Sequence, residues 1–182
     1  MFRKLLNSEL QRLSVEEYKN SDKSPVVLVL DNVRSQHNIG SAFRTCDAFR
    51  IGKIYLCGIC AVPPSAEIHK SALGAEFSVD WEYYQETADA VAELRKAGYT
   101  IISVEQAEDS TMLGEFRLEE GRHYAFVFGN EVKGVQQCVV DSSDICLEIP
   151  QYGTKHSLNV SVSIGIVLWD TMNSLHRSPS AV

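Results

Sequence analysis

Three polar stretches of this chain carry residue types that could bind a small ligand or help move a proton. They are DNVRSQHNIG (31–40), GNEVKG (129–134) and PQYGTKHS (150–157). Just beyond the first, Arg44 falls in a helical pattern that buries Ile39, Ala42, Phe43 and Cys46, so its own position points away from that core. A guanidinium there could grip a phosphate and stabilise developing negative charge. It could equally pair with Asp47 on a helix surface. Glu131 is either a site carboxylate or a solvated loop acid beside Lys133. Ser157 is a residue type that caps helices without any chemistry.

Other motifs fail on inspection. GNEVKGV (129–135) has phosphate-loop glycine spacing, but Val135 stands where that motif needs lysine. No G-x-G-x-x-G follows a predicted strand, and no G-x-S-x-G elbow is present. CGIC (57–60) has redox or zinc spacing but closes an apolar strand and lacks a second pair, which favours buried structural thiols. The five histidines are scattered without metal-ligand spacing, so no metal site is expected.

The elements that must position the three stretches follow from hydrophobic patterning. PVVLVLD (25–31) is a continuous apolar run of strand length, a signature of burial on both faces in a parallel sheet. Runs 53–59, 99–104, 124–129 and 145–149 read the same way, and helical patterns occupy 38–50, roughly 65–74, 86–97 and 135–141. Alternation of this kind predicts an α/β domain with a mostly parallel sheet, whose ligands bind where the strands' carboxyl ends open into loops. All three polar stretches lie there.

At 182 residues and 45% hydrophobic composition, the chain suits one domain with a substantial core. The expected organisation is a helical N-terminal extension (1–24) with a possible capping box from Ser14 to Glu17, a domain over 25–175, and a flexible tail (176–182). No bilayer-length apolar stretch or signal-peptide core is seen, and five cysteines suit a reducing compartment. A cytoplasmic location is therefore expected. The net charge of −7 argues against unspecific polyanion binding but leaves room for a local basic patch.

HNIGSAFRTCDAF (37–49), FVFGNEVKGV (126–135) and IPQYGTKHSLNVSVSIGIVLWD (149–170) together resemble the three ordered motifs of the SpoU/TrmH-type RNA 2′-O-methyltransferases of the SPOUT superfamily. KSALGAEF (70–77) resembles a segment between the first two. The resemblance implies an S-adenosylmethionine-dependent enzyme that methylates a ribose 2′-hydroxyl of RNA. A C-terminal trefoil knot and a homodimer are also implied. Its compact form looks like the tRNA-modifying branch, with ribosomal RNA open. The alternatives are a catalytically silent RNA-binding protein of the same fold and an unrelated small-molecule enzyme.

Carried over to this chain, the catalytic residues implied are Asn38, Arg44, Glu131, Ser157 and Asn159. Cofactor contacts, mostly through backbone groups, are implied at Ser103, Gly129, Asn130, Ile149 and Leu158. Residues 157–164 alternate polar and apolar as a strand would. Read instead as a helix from Ser157, they put Leu158, Val162, Ile166 and Trp169 on one stripe. Ser157, Ser161 and Gly165 form a second stripe of small residues, suited to close approach by another backbone. A helix capped by Ser157 is the expectation.

Overall fold

The apolar run 25–31 becomes β1 (Val26–Asp31), an interior strand buried at every position. It alternates between two cores: Leu28 and Leu30 face one cluster, Val27 and Val29 the other. A strand sandwiched in this way has no solvated face, which is why its sequence lacks polar alternation. The computed structural model describes residues 2–176.

In chain order the strands are β1, β2 (Lys53–Cys57), β3 (Asp80–Tyr84), β4 (Tyr99–Val104), β5 (Thr111–Met112), β6 (His123–Phe128) and β7 (Ile145–Glu148). They form one sheet in the order β3-β2-β1-β6-β4-β7-β5, with every pairing parallel. The helices are α1 (Val15–Asn20), α2 (Gln36–Ala48), α3 (Ala66–Ala72), α4 (Ala75–Ser78), α5 (Thr87–Lys96), α6 (Gln137–Ser142) and α7 (Val160–His176). Residues of α2 and α7 cover one face with Ile39, Phe43, Val167 and Leu168, all fully buried. Residues of α5 and α6 cover the other with Ala90, Val91, Leu94 and Val139. Each such large apolar side chain removed from water contributes roughly 1.5–3 kcal/mol.

One element bears on the site in a way the sequence pattern did not give. Helix α7 starts at Val160 rather than Ser157, and its cap is Asn159, whose Oδ1 accepts the Ser161 N–H at 2.9 Å. Ahead of the helix, Gln106 Nε2 donates to the His156 carbonyl at 2.8 Å. The helix buries Val160, Ile164, Val167, Leu168 and Met172, spaced as one helical face. Leu158, Val162, Ile166 and Trp169 are left partly or largely exposed on the other side. A Cβ at Gly165 would meet nothing within 4 Å among the described residues, so these leave the small-residue stripe unfilled.

The N-terminal extension is helical only in part. Ser14 and Glu17 form the expected reciprocal capping box at the start of α1, while upstream only a single turn at Asn7–Glu9 is helical. Leu5, Leu6, Leu10 and Leu13 stay exposed there and find no core to pay for ordering. Of the expected tail, residues 177–182 lie outside the described ones. Cys57 and Cys60 are buried, and burial pushes their thiols up to about 12 and about 11, as inert structural thiols require. Among the described residues no helix is long and apolar enough to cross a membrane, and no cluster of three or more His, Cys, Asp or Glu could hold a metal.

Candidate active site

The first site helix is fixed before any site chemistry is considered. Ser35 Oγ caps α2 by accepting the Asn38 N–H at 3.2 Å. At the next turn, Gly40 lets α3 come so close that a Cβ there would sit 2.3 Å from the Ile68 carbonyl oxygen. Ser71 of α3 then donates to the His37 carbonyl at 3.0 Å. These contacts leave Asn38 buried at 5% exposure, with its side chain aimed at the two other motifs.

Asn38 Nδ2 donates to Glu131 Oε1 at 2.7 Å, and Asn159 Nδ2 donates to Asn38 Oδ1 at 3.2 Å. The amide orientations are mutually forced. Asn159 must turn Oδ1 to the Ser161 N–H as a cap, so its NH2 faces Asn38. Asn38 must then offer its oxygen to Asn159 and its NH2 to the carboxylate. One residue from each polar motif is thereby joined in a single chain of hydrogen bonds.

The loop that carries Glu131 is stiff. Asn130 and Gly134 bond through both their backbone groups, at 3.2 and 3.0 Å. Asn130 Oδ1 also accepts the N–H groups of Val132 and Lys133, at 3.1 and 2.9 Å. Gly129 is required by this fold-back, because a Cβ there would lie 1.9 Å from the Gly134 carbonyl carbon. Glu105, at the end of β4, clamps the far side by accepting the Val135 N–H at 3.0 Å.

A cavity of about 350 Å³ opens beside this loop, at the carboxyl ends of β4, β6 and β7. Gly129, Asn130, Glu131, Ile149, Ser157 and Leu158 all line it, six of the residues singled out from the sequence. Asn38 and Asn159 stand behind it, in the hydrogen-bond chain. Ser103 does not reach it: the residue is fully buried, and its hydroxyl pairs with that of Ser143 at 2.7 Å. The wall expected from Ser103 is made by Val104, Glu105 and Gln106 instead. Strand parity was the available signal, since the first residues past a strand's carboxyl end line such a crevice. His156 and Lys133 also line it.

Arg44 is placed apart. It is exposed on α2, roughly 9 Å along the helix axis from Asn38 at 1.5 Å per residue, and does not line the cavity. The alternative surface pair with Asp47 is not formed; Asp47 accepts the Ser78 hydroxyl of α4. Among the described residues Arg44 has no ion-pair or hydrogen-bond partner.

Residues 25–169 match the model of the SpoU rRNA Methylase family. The chain belongs to that family. It is 30% identical over 153 residues to the 23S rRNA (guanosine-2′-O-)-methyltransferase RlmB of Neisseria meningitidis serogroup B, covering 84% of this chain and 60% of the relative. It is 30% identical over 169 residues to the tRNA (guanosine(18)-2′-O)-methyltransferase of Aquifex aeolicus, covering 91% of this chain and 76% of the relative. An AdoMet-bound rRNA methyltransferase from Sinorhizobium meliloti superposes with a TM-score of 0.75 at 25% identity, over 84% of this chain and 58% of that one. The chain thus spans less than two thirds of the Neisseria relative's length, and its family membership rests on the shared domain.

Proposed function

We propose that this SpoU-family chain transfers a methyl group from S-adenosylmethionine to a ribose 2′-hydroxyl of RNA. The observation that carries the reading is the Glu131–Asn38–Asn159 chain, which joins all three motifs at the edge of the cavity. That cavity suits the cofactor in size, since small-ligand sites begin at about 300 Å³. Glu105 and Glu131 in its wall suit a ligand with a positive centre. When bound, the cofactor supplies an electrophilic methyl on a sulfonium, whose displacement leaves a neutral thioether and requires no metal.

The chain's own residues divide the remaining work. Gly129, Asn130, Ile149 and Leu158 hold the cofactor, largely by backbone groups, with Ser157 at the same wall. Ser103 supports that wall from behind. Asn38 and Asn159 fix Glu131, whose Oε2 has no partner among the described residues and is left for the substrate. Arg44, equally unpartnered, grips a phosphate next to the reacting ribose and stabilises charge as the hydroxyl loses its proton. The substrate we favour is tRNA, because the tRNA-specific relative matches over a larger share of both chains than the rRNA-specific one. A cytoplasmic location follows from that substrate.

The reading includes a homodimer and a C-terminal knot. The exposed apolar stripe Val162–Ile166–Trp169 and the open Gly165 support a partner packed on α7. The test is to incubate the protein with methyl-labelled S-adenosylmethionine and total unmodified RNA in chelator, then map the labelled nucleotides. Label in 2′-O-methyl ribose of tRNA is expected; label confined to bases, or none, overturns the reading. Sedimentation of the same sample should give about twice the 20.3 kDa chain mass, and an active monomer removes the dimer.

A further inference from the structure

The cations of this acidic chain are distributed unevenly between paired and free. Away from the site they are matched to carboxylates at short range, as in Lys53–Glu82 at 2.6 Å, Arg95–Asp144 at 2.8 Å and Arg122–Glu119 at 3.0 Å. Lys23 and Arg117 are spent on backbone carbonyls. Arg34, Lys133 and Lys155, in contrast, are exposed and have no partner among the described residues. Each sits in one of the three polar stretches, two of which meet in the Asn38–Glu131 bond while the third ends two residues before Asn159. Elsewhere among the described residues Lys4, Arg12, Arg44 and Arg50 are equally free, two of them in the N-terminal extension and Arg44 on the site helix α2.

Two of the most exposed apolar side chains stand on the same stretches. Tyr152, at the tip of the 150–157 stretch, is 95% exposed, and Val132, between Glu131 and Lys133, is 79% exposed. Both belong to loops that wall the cavity, and Tyr152 makes no hydrogen bond to the described residues. An aromatic ring left in water among unpaired cations is the combination that binds unpaired nucleotides: cations follow the phosphates while the ring stacks on a base.

We infer that Arg34, Lys133, Lys155 and Tyr152 form a rim that grips single-stranded RNA across the mouth of the cavity, with the three cations on phosphates and Tyr152 stacked on a base next to the reacting ribose. The inference rests on the RNA-directed reading of the site and narrows its substrate to an unpaired segment. A base inside a duplex offers Tyr152 no free face, and a helix's ribose lies flanked by stacked neighbours. The rim also explains how a chain of net charge −7 takes a polyanion, because its free positive charge is local rather than global.

Binding is measured by fluorescence anisotropy with the full chain and S-adenosylhomocysteine, against a 12-nucleotide single-stranded RNA and the blunt duplex of the same sequence, between 20 and 200 mM salt. The wild type should favour the single strand. Arg34→Gln/Lys133→Gln/Lys155→Gln should lower the slope of log K against log salt by about 2, at roughly 0.7 per phosphate contact on a single strand. Tyr152→Ala should weaken the single strand on the order of 10–100-fold with the slope kept, and Tyr152→Phe should restore it. An unchanged slope in the triple variant, an unaffected Tyr152→Ala, equal duplex binding, or no binding of either probe overturns the inference. Lys133→Gln losing affinity for S-adenosylhomocysteine instead of RNA removes Lys133 from the rim. Since turnover is not measured, a failure of methyl transfer with these results intact counts against the proposed reaction and not against the rim.

Discussion

Two polar clusters hold opposite ends of the same loop, and they are built on opposite terms. At the far end Asp31, fully buried at the end of β1, accepts four hydrogen bonds: from Asn32 Nδ2 at 2.8 Å, Thr87 Oγ1 at 2.6 Å, Gln136 Nε2 at 2.7 Å and the Gln136 N–H at 2.7 Å. Three of the bonds fall on Oδ1 and one on Oδ2, so both oxygens are engaged within the fold. At the near end Glu131 is exposed, accepts one bond from Asn38, and keeps an oxygen free. A saturated carboxylate is a structural part; an unsaturated one held in place by a buried amide is available for chemistry. Burial alone would have ranked the two the other way, since Asp31 is the more deeply enclosed.

The largest expected effect tests the saturated side. Asp31→Ala leaves the Gln136 amide groups and the Thr87 hydroxyl without their acceptor in a buried place, at about 1–3 kcal/mol for each unsatisfied group. A total loss of about 3 kcal/mol or more should lower the melting temperature by roughly 6–12 °C in a chain of this length. Calorimetry measures the loss, and turnover per folded molecule should fall far less. A variant that melts normally but does not methylate would break the division between the clusters.

Arg44 extends the comparison to a group with no partner at all. By the same criterion, Arg44→Ala should cost turnover on the order of 10²–10³-fold while stability stays within about 0.5 kcal/mol, as for an uncommitted surface side chain. Arg44→Lys keeps the charge without the planar fork, so near-normal single-turnover rates in that variant point to simple phosphate attraction. Near-normal methylation by Arg44→Ala takes the residue off the catalytic set.

Much of this architecture was legible in the sequence, and the misses have physical causes. The buried parallel strands announced themselves as apolar runs because both faces are covered. The edge strand β3 did not, because DWEYY alternates exposure and carries charge. Strand β5 is two residues long, below what patterning can register. The cavity loops were found by their polarity at strand ends, while Ser103 lies behind the cavity wall because the same strand turns alternate residues to opposite faces. Asp31 drew no notice as an anchor: its partners are 56 and 105 residues away along the chain, and no local pattern shows such a contact. The start of α7 was missed because two serviceable caps, Ser157 and Asn159, stand two residues apart, and it is Asn159 whose Oδ1 accepts the Ser161 N–H.

That double use of Asn159 gives the smallest and most discriminating test. Its Oδ1 caps α7, and its Nδ2 steadies Asn38, so the residue belongs to the fold by one atom and to the site by the other. Serine caps helices about as well as asparagine but has no NH2 to send to Asn38. Asn159→Ser should therefore leave the melting temperature nearly unchanged, within the roughly 1–2 °C that 0.5 kcal/mol produces at this size. Turnover should fall about tenfold, the equivalent of one net hydrogen bond of about 1.4 kcal/mol lost from the positioning of Glu131. The affinity for S-adenosylhomocysteine should hold, because Asn159 does not line the cavity. If stability falls instead and turnover per folded molecule is kept, the bridge between the motifs is structural, and the near cluster joins the Asp31 cluster as scaffold.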